Sequence, residues 1–189
     1  GSLGGLVSAD VAFDGTNSMK VDSSTVAVQG YSGLTAGHVV VSAQMYIPGG
    51  QSQSTYFALV NKPAAASVDW SQISTLLRFD LSGGRVYDDL RGGSTPIATG
   101  RWAEIVVDID LDADTVTHRY DGQLVSSGTW RTAAGSAREL AGLAVLSTDP
   151  NTVYYDHVQV SALGVPAPAS LAGLGVLAAC TARRCRRRH

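Results

Sequence analysis

The feature that most constrains the fold is a two-residue alternation of apolar and polar side chains. In "HVVVSAQMYI" the apolar residues take every second position and would line one face of a pleated strand: Val39, Val41, Ala43, Met45 and Ile47. Eight further segments are rich in Val, Ile, Thr and Tyr and end near turn-forming residues: 18–23, 55–60, 74–81, 84–90, 102–111, 115–121, 140–147 and 153–163. We therefore predict an all-β, two-sheet antiparallel jelly-roll sandwich, followed by a short C-terminal apolar helix.

Two residue pairs predict tight hairpin turns between these strands. Gly83-Gly84 and Asp121-Gly122 each lie between two strand-like segments. Glycine accepts a positive φ, and Asp or Gly before it suits the tight turns that match the twist of a hairpin. In 153–163 we expect one unbroken alternation, with Asp156 and Val158 on the same face.

The run "GRWAEIVVDIDLDADTVTHRYDGQLV" (100–125) resembles the central hairpins of laminin-G-like, or concanavalin A-like, domains. The matching residues are Trp102, Ile105, Val107, Ile109, Tyr120, Asp121 and Gly122. The stretches 14–21 and 153–160 resemble the opening and closing strands, so residues 1–162 are assigned to this domain. The resemblance implies a surface-exposed, often glycan-binding sandwich, and it implies that Trp102 packs in the core.

The sequence contains no recognisable catalytic motif. Retaining glycosidases need two carboxyl groups about 5–5.5 Å apart, whereas the domain has only Glu104 and Glu139, far apart along the chain. Glu104 is predicted to face solvent. The three histidines of the domain lack metal-ligand spacing, and the sequence contains no G-x-S-x-G motif. We predict a non-enzymatic protein; the alternatives are a glycoside hydrolase or lyase on the same fold, or a purely structural surface protein.

Two aromatic residues are candidates for ligand contact, because an exposed ring can stack on the apolar face of a sugar. Trp70 lies in a long polar loop, and Tyr87 lies beside Asp88, Asp89 and Arg91. We predict that Trp70 and Tyr87 contact a polysaccharide.

Two groups of aspartates are candidates for a structural calcium ion, which binds through oxygen ligands. Asp110, Asp112 and Asp114 alternate along one segment, and Asp156 on the last strand has Asp10 or Asp14 as a possible partner. The alternatives are an acidic hairpin turn for the first group and hydrogen bonds to backbone amides for Asp156. No other cofactor is predicted.

Charge is distributed unevenly along the chain. Residues 1–164 contain nine of the fourteen basic residues and all sixteen acidic ones, which gives this part a net charge of 9 − 16 = −7. Nucleic-acid binding needs clustered Lys and Arg, so no nucleic-acid partner is expected. An acidic domain remains compatible with calcium or with sugars.

The C-terminal segment combines a proline motif, an apolar stretch and a basic cluster. The motif Val165-Pro166-Ala167-Pro168 closes a linker (163–168), and residues 169–189 contain the cluster Arg183, Arg184, Arg186, Arg187 and Arg188. This order resembles the PEP-CTERM sorting signal of Gram-negative bacteria, with Ala in place of the usual Glu. The resemblance implies cleavage by an exosortase-type enzyme, a precursor tethered in the inner membrane, and a mature protein at the cell surface or in the extracellular matrix. A single-span anchor or a chance apolar tail are the alternatives.

Overall fold

The structure is a computed structural model that describes residues 5–22, 25–62, 72–132, 136–148 and 151–163. These residues form thirteen β-strands and no α-helix. The strands are β1 (Leu6–Ser8), β2 (Ser18–Val21), β3 (Val26–Gly30), β4 (His38–Tyr46), β5 (Ser54–Val60), β6 (Ile73–Asp80), β7 (Arg85–Asp88), β8 (Ser94–Pro96), β9 (Trp102–Asp110), β10 (Thr115–Tyr120), β11 (Gln123–Thr129), β12 (Gly142–Ser147) and β13 (Val153–Leu163).

The strands pair into two antiparallel sheets. The seven-stranded sheet has the order β1-β2-β13-β4-β9-β10-β11, and the six-stranded sheet has the order β3-β12-β5-β6-β7-β8. The predicted two-sheet jelly-roll sandwich is confirmed. The predicted C-terminal helix, the proline motif, the arginine cluster and Trp70 lie outside the described residues. Among the residues that are described, no helix is long and apolar enough to cross a bilayer.

All nine predicted strands are present, and the four strands that the sequence did not predict are the four sheet edges. They are β1, β3, β8 and β11. Edge strands pair on one side only, and natural edges are kept short or carry Pro and polar residues. β8 has three residues and ends at Pro96, while β11 contains a Ser-Ser-Gly run. β1 and β3 leave most of their residues exposed. None of the four edge strands therefore buries the regular alternation that marks a strand in the sequence.

The core lies between the sheets and is built from alternate residues of the long strands. The apolar residues of β4 are fully buried at every second position, as predicted. They pack with inward residues of the six-stranded sheet, including Phe57, Leu77 and Phe79. Trp130 is also completely buried. The opposite residues of each strand consequently face away from the core.

The expected single alternation along β13 is wrong beyond Asp156. Asp156 pairs with Gln44 of β4 and Gln159 pairs with Ser42, so β13 holds one extra residue between these pairs. Such a bulge reverses the side that later residues face. His157 absorbs the distortion with a φ of 47°. Val160, rather than the odd-numbered residues, then packs against the core.

Trp102 faces away from the core, contrary to what the family resemblance implied. Its neighbours Ala103, Ile105 and Val107 are buried, and pleating sends Trp102 to the opposite side of β9, where it is half-buried. Glu104 is exposed on that side, as predicted. Both predicted hairpin turns are present, and in one of them Asp121 and Gly122 both have positive φ, at 51° and 73°.

Candidate functional site

A row of three side chains crosses the outward face of the six-stranded sheet. Tyr56 on β5 pairs with Arg78 on β6, which pairs with Tyr87 on β7. Residues at directly opposite positions of antiparallel strands project from the same face. All three are partly exposed, since Phe57 and Leu77 take the inward positions. We call this set the Tyr-Arg-Tyr row.

The guanidinium of Arg78 is fixed in the centre of the row. Its Cζ lies 4.7 Å from the centroid of the Tyr87 ring, which is a cation–π distance. Its Nε donates to both carboxylate oxygens of Asp89, at 2.8 and 3.1 Å. The hydrogen bond that Arg78 donates to Asp89 raises the pKa of Arg78 above its usual value. Within the described residues its two terminal amino groups have no hydrogen-bond partner, so they can donate to a ligand.

The next row along the same face is polar and internally satisfied. Arg85 donates to the Ser94 hydroxyl at 2.8 Å. The Asp80 carboxylate accepts hydrogen bonds from the Gly83 amide at 2.9 Å and the Ser82 hydroxyl at 2.8 Å. These hydrogen bonds, led by the one from Gly83, lower the pKa of Asp80. Arg78 and Arg85 balance the negative charges of Asp80 and Asp89 on this part of the face.

Tyr87, predicted to contact a ligand, therefore lies in an accessible row, but two of its sequence neighbours do not. The side chain of Asp88 is completely buried, and that of Arg91 is nearly so. Arg91 donates to the backbone carbonyls of Ser74 and Thr129 at 2.7 and 2.6 Å. These contacts hold the β7–β8 connection against β11.

Asp88 belongs to a buried polar cluster that sequence reasoning did not find. Ser126 donates to Asp88 Oδ2 at 2.6 Å, and His118 Nδ1 lies 2.9 Å from Ser126 Oγ and 3.3 Å from Asp88 Oδ2. His118 Nε2 lies 2.9 Å from the Thr75 hydroxyl. We call Asp88, His118, Ser126, Thr75 and Arg91 the buried polar cluster.

The buried polar cluster contains Asp, His and Ser, yet its geometry is structural rather than catalytic. The side chains of His118 and Asp88 are fully buried. Because Ser126 donates its proton to Asp88, its oxygen accepts from His118, whereas a nucleophilic serine donates to the histidine. Burial lowers the pKa of His118. Burial opposes ionisation of Asp88, but hydrogen bonds from His118 and Ser126 outweigh it and lower the pKa of this carboxyl.

A signal for this cluster exists in the sequence. In "TVTHRY" His118 takes the same parity as Val116 and Tyr120, which are both buried. An ionisable residue at a core position needs hydrogen-bond partners. The pattern thus marks His118 as a buried, partnered residue, although it does not reveal that the partners come from β6, β7 and β11.

Asp156, predicted as a calcium ligand, is surrounded by backbone amides. Its carboxylate accepts from the amides of Phe13 at 2.9 Å, Asp14 at 3.4 Å and His157 at 2.7 Å. Burial opposes ionisation, but these hydrogen bonds lower the pKa of Asp156. The carboxylate of its proposed partner Asp14 lies 3.4 Å from His157 Nε2.

The other predicted calcium ligands lie at the β9–β10 turn. Asp110 accepts from the Ala113 amide at 2.8 Å, while Asp114 pairs with Arg131 at 3.0 Å. Asp112 is exposed. In the part of the chain that the structure describes, no group of three or more His, Cys, Asp or Glu side chains converges as a metal site would. Calcium binding at either position stays a prediction.

A separate cavity of about 430 Å³ opens between the sheets at the β1–β3 side. Its walls are mainly aliphatic, with Val28, Leu143 and Val160 among them. Sugar recognition needs several placed polar groups. This cavity therefore does not suit a polysaccharide.

Comparisons with known proteins give a fold and no family. No family model matches the chain, and no curated protein matches it. Solved structures do match. An endo-β-1,4-glucuronan lyase from the fungus Trichoderma reesei is 18% identical, with a TM-score of 0.56 over 84% of this chain and 87% of its own. The carbohydrate-binding module CBM66 from Bacillus subtilis is 12% identical, with a TM-score of 0.54 over 84% and 92%.

A third similar structure is the cellulose-induced protein Cip1, at 18% identity and a TM-score of 0.53, covering 84% of this chain and 86% of that one. The similar folds thus include a binding module and an enzyme, and the fold is compatible with either role. The chain has the jelly-roll β-sandwich fold that these three structures share.

Proposed function

We propose that the protein is a non-enzymatic, glycan-binding β-sandwich that binds extracellular polysaccharide on the outward face of its six-stranded sheet. The observation that carries this proposal is the Tyr-Arg-Tyr row. Two rings, on the strands at either side of β6, flank the guanidinium of Arg78. Asp89 fixes the orientation of this guanidinium, and its terminal amino groups have no partner among the described residues.

The chemistry of the row suits a sugar. A pyranose presents an apolar face to an aromatic ring and hydroxyl oxygens to hydrogen-bond donors. Tyr56 and Tyr87 supply the rings, and Arg78 supplies two free amino groups between them. Because Asp89 and the ring of Tyr87 hold the guanidinium in place, little side-chain entropy is lost on binding. The similarity of the fold to a carbohydrate-binding module supports the same conclusion.

A binding assay on immobilised polysaccharides tests the proposal. We expect the described domain to be retained on at least one polymer of a broad panel, and Tyr87→Ala to weaken that binding about tenfold through loss of stacking and of the Arg78 contact. Tyr87→Phe keeps the ring and should retain most of the affinity. Thr117→Ala, on the opposite sheet, is the matched control. Absence of binding to every polymer, or equal binding by Tyr87→Ala, would contradict it.

A lyase is the second candidate, because the row also places two phenols beside a guanidinium. Elimination from a uronate needs a base to remove the proton next to the carboxylate and a cation to stabilise the charge that develops there. The glycosidic C–O bond then breaks, and the leaving oxygen takes up a proton.

The product of such an elimination contains a C=C bond, and its ultraviolet absorbance is the readout. A signal from the wild type that Tyr56→Phe or Tyr87→Phe abolishes would establish the lyase. New reducing ends without that absorbance would indicate a glycoside hydrolase. Absence of both binding and cleavage would leave a structural surface protein.

We further propose that the protein is exported and that residues 169–189, together with the proline motif of the preceding linker (163–168), act as a sorting signal. The proline motif, the apolar stretch and the arginine cluster support this by their order alone. The implied partners are an exosortase-type enzyme and, transiently, the inner membrane, where the arginines would stay on the cytoplasmic side. Mass spectrometry of the protein from its native host tests the proposal. A C-terminus near Val165–Pro168 would support it, and an intact His189 would contradict it.

A further inference from the structure

A second aromatic surface lies on the outward face of the seven-stranded sheet. Trp102 on β9 packs against Tyr46 on β4 with ring centroids 5.5 Å apart, and against Phe13 at 5.8 Å. Tyr46 in turn contacts Tyr154 on β13 at 6.2 Å. We call these four residues the aromatic corner. Phe13 is 46% exposed and Trp102 is half-buried, so the corner presents ring surface to solvent.

The aromatic corner is held in position by the surrounding chain. The Phe13 amide donates to Asp156, and the Phe13 ring packs against His157 at the β13 bulge, with centroids 5.2 Å apart. The Tyr154 hydroxyl donates to Asp10 at 3.1 Å. The positive φ of His157 brings its ring to Phe13 at a cost in backbone strain. A platform ordered in advance loses less entropy when a ligand binds.

Polar groups that have no hydrogen-bond partner among the described residues adjoin the rings. Gln44 and Glu104 are a cross-strand pair, one outward position along from the pair Tyr46 and Trp102. Within the residues the structure describes, neither the Gln44 amide nor the Glu104 carboxylate has a hydrogen bond or an ion pair, and the Trp102 indole N–H has no acceptor. Glu104 is exposed, and Gln44 and Trp102 are partly exposed. Rings and free donors and acceptors are therefore side by side.

The charge around the aromatic corner is predominantly negative. The nearby cations are Lys20, Arg101 and Arg119. Five carboxylates adjoin the corner: Asp10, Asp14, Glu104, Asp121 and Asp156. Lys20 pairs with Asp10 and Arg101 with Asp121. Arg119 lies one row further along the sheet. Glu104 is thus a free carboxylate in an acidic setting, which disfavours a uronate and favours a cation.

We infer that the aromatic corner is a second glycan site and that it takes an amino-sugar residue with a free ammonium group. The sugar ring would stack on Trp102, its ammonium would bind Glu104, and its hydroxyls would bind the Gln44 amide. The attraction of a cation for an indole face adds to the carboxylate contact. Since the two sites lie on opposite outward faces of the sandwich, each can hold its own polymer.

Calorimetric titration with a glucosamine hexamer, and with an N-acetylglucosamine hexamer as its uncharged match, tests this inference. We expect the hexamer with free amines to bind at least about tenfold more tightly, because a hydrogen bond to a charged group is the stronger kind. Trp102→Ala should abolish binding. Glu104→Gln should lower the affinity for the amine form to that of the acetylated form. Thr117→Ala, at an outward position of the same sheet but away from the aromatic corner, should bind as the wild type does.

Several results would overturn the inference: no binding of the glucosamine hexamer, equal affinity for both hexamers, or no effect of Glu104→Gln. Binding of polylysine as tightly as glucosamine would assign the site to a cationic peptide instead. Circular dichroism of each variant shows whether it is folded. If Trp102→Ala does not fold, Phe13→Ala tests the same aromatic corner, because Phe13 lies outside the sheets. The result is independent of the proposed function, since it uses neither Tyr87 nor Arg78.

Discussion

Tyr87 and Asp88 are adjacent in the chain and belong to opposite environments. Tyr87 is in the Tyr-Arg-Tyr row, with a guanidinium over its ring, whereas Asp88 is in the buried polar cluster, with no exposed side-chain surface. Asp89 returns to the outward side and holds Arg78. The buried polar cluster has the residue types of a catalytic triad, and the exposed row has those of a sugar site. Accessibility, set by the pleat, decides which of the two can meet a ligand.

The largest expected effect is a loss of stability when the buried polar cluster, rather than the Tyr-Arg-Tyr row, is disrupted. Asp88→Ala removes the acceptor for Ser126 and His118 and leaves the nearly buried Arg91 without its counter-charge. Removing one partner of a buried ion pair costs about 3–5 kcal/mol. Urea unfolding should show a loss of this size, while polysaccharide affinity per folded molecule stays unchanged. A stable Asp88→Ala variant that no longer binds glycan would reverse our assignment of the two regions.

The next largest effect is expected at Gly93, where the β7–β8 connection meets β11. Gly93 has a φ of 89°, and a Cβ there would lie 2.1 Å from the Val125 carbonyl oxygen. Gly93→Ala should cost about 2 kcal/mol or more, since it combines a strained φ with a backbone clash. Gly92→Ala is the matched control: its φ is 78°, but its Cβ would meet nothing within 4 Å. Equal losses in both variants would show that β11 can move away.

A substitution in the Tyr-Arg-Tyr row should have the opposite outcome, since it should weaken polysaccharide binding more than it lowers the free energy of unfolding. Arg78 and Asp89 are partly exposed, so breaking their ion pair with Arg78→Ala should cost no more than about 1 kcal/mol. Loss of the two free amino groups should weaken polysaccharide binding about tenfold. Arg85→Ala, one row away and bonded to Ser94, is the control. If Arg78→Ala unfolds the domain instead, the row is structural.

The smallest effect concerns the pH dependence of stability. The pKa of His118 is lowered by burial, so the unfolded chain takes up a proton that the folded protein does not. Stability from this residue is complete above the unfolded pKa of about 6.5 and is lost as the pH falls below it. His118→Asn should therefore flatten the decline in unfolding free energy between about pH 7 and pH 5.

His38 provides the control of opposite sign. The Asp108 carboxylate raises the pKa of His38, so its contribution is present at low pH and is lost as the pH rises through the folded value. His38→Asn should make the decline on acidification steeper rather than flatter. The same direction of change in both variants would contradict the protonation states assigned here.

Much of the fold follows from the alternation of side chains in the sequence. The nine strands that are not sheet edges were predicted from runs rich in Val, Ile, Thr and Tyr and, in several of them, from the period-two pattern that burial of one face leaves. The same rule predicts that Trp102 faces outward, since Ala103 and Ile105 face inward, and here the pattern was a better guide than the family resemblance. The four edge strands escaped prediction because they bury less.

The sequence determined that the chain is all-β, which residues of the regularly alternating strands face the core, where two hairpins turn, and that Tyr87 is a candidate for ligand contact. Only the tertiary structure decided which outward residues are neighbours, because cross-strand register is a long-range property. It joined Tyr56 and Arg78 to Tyr87, and it gathered the buried polar cluster from β6, β7, β10 and β11. Local pattern fixes the side of a sheet on which a residue lies, whereas pairing between distant strands fixes its neighbours.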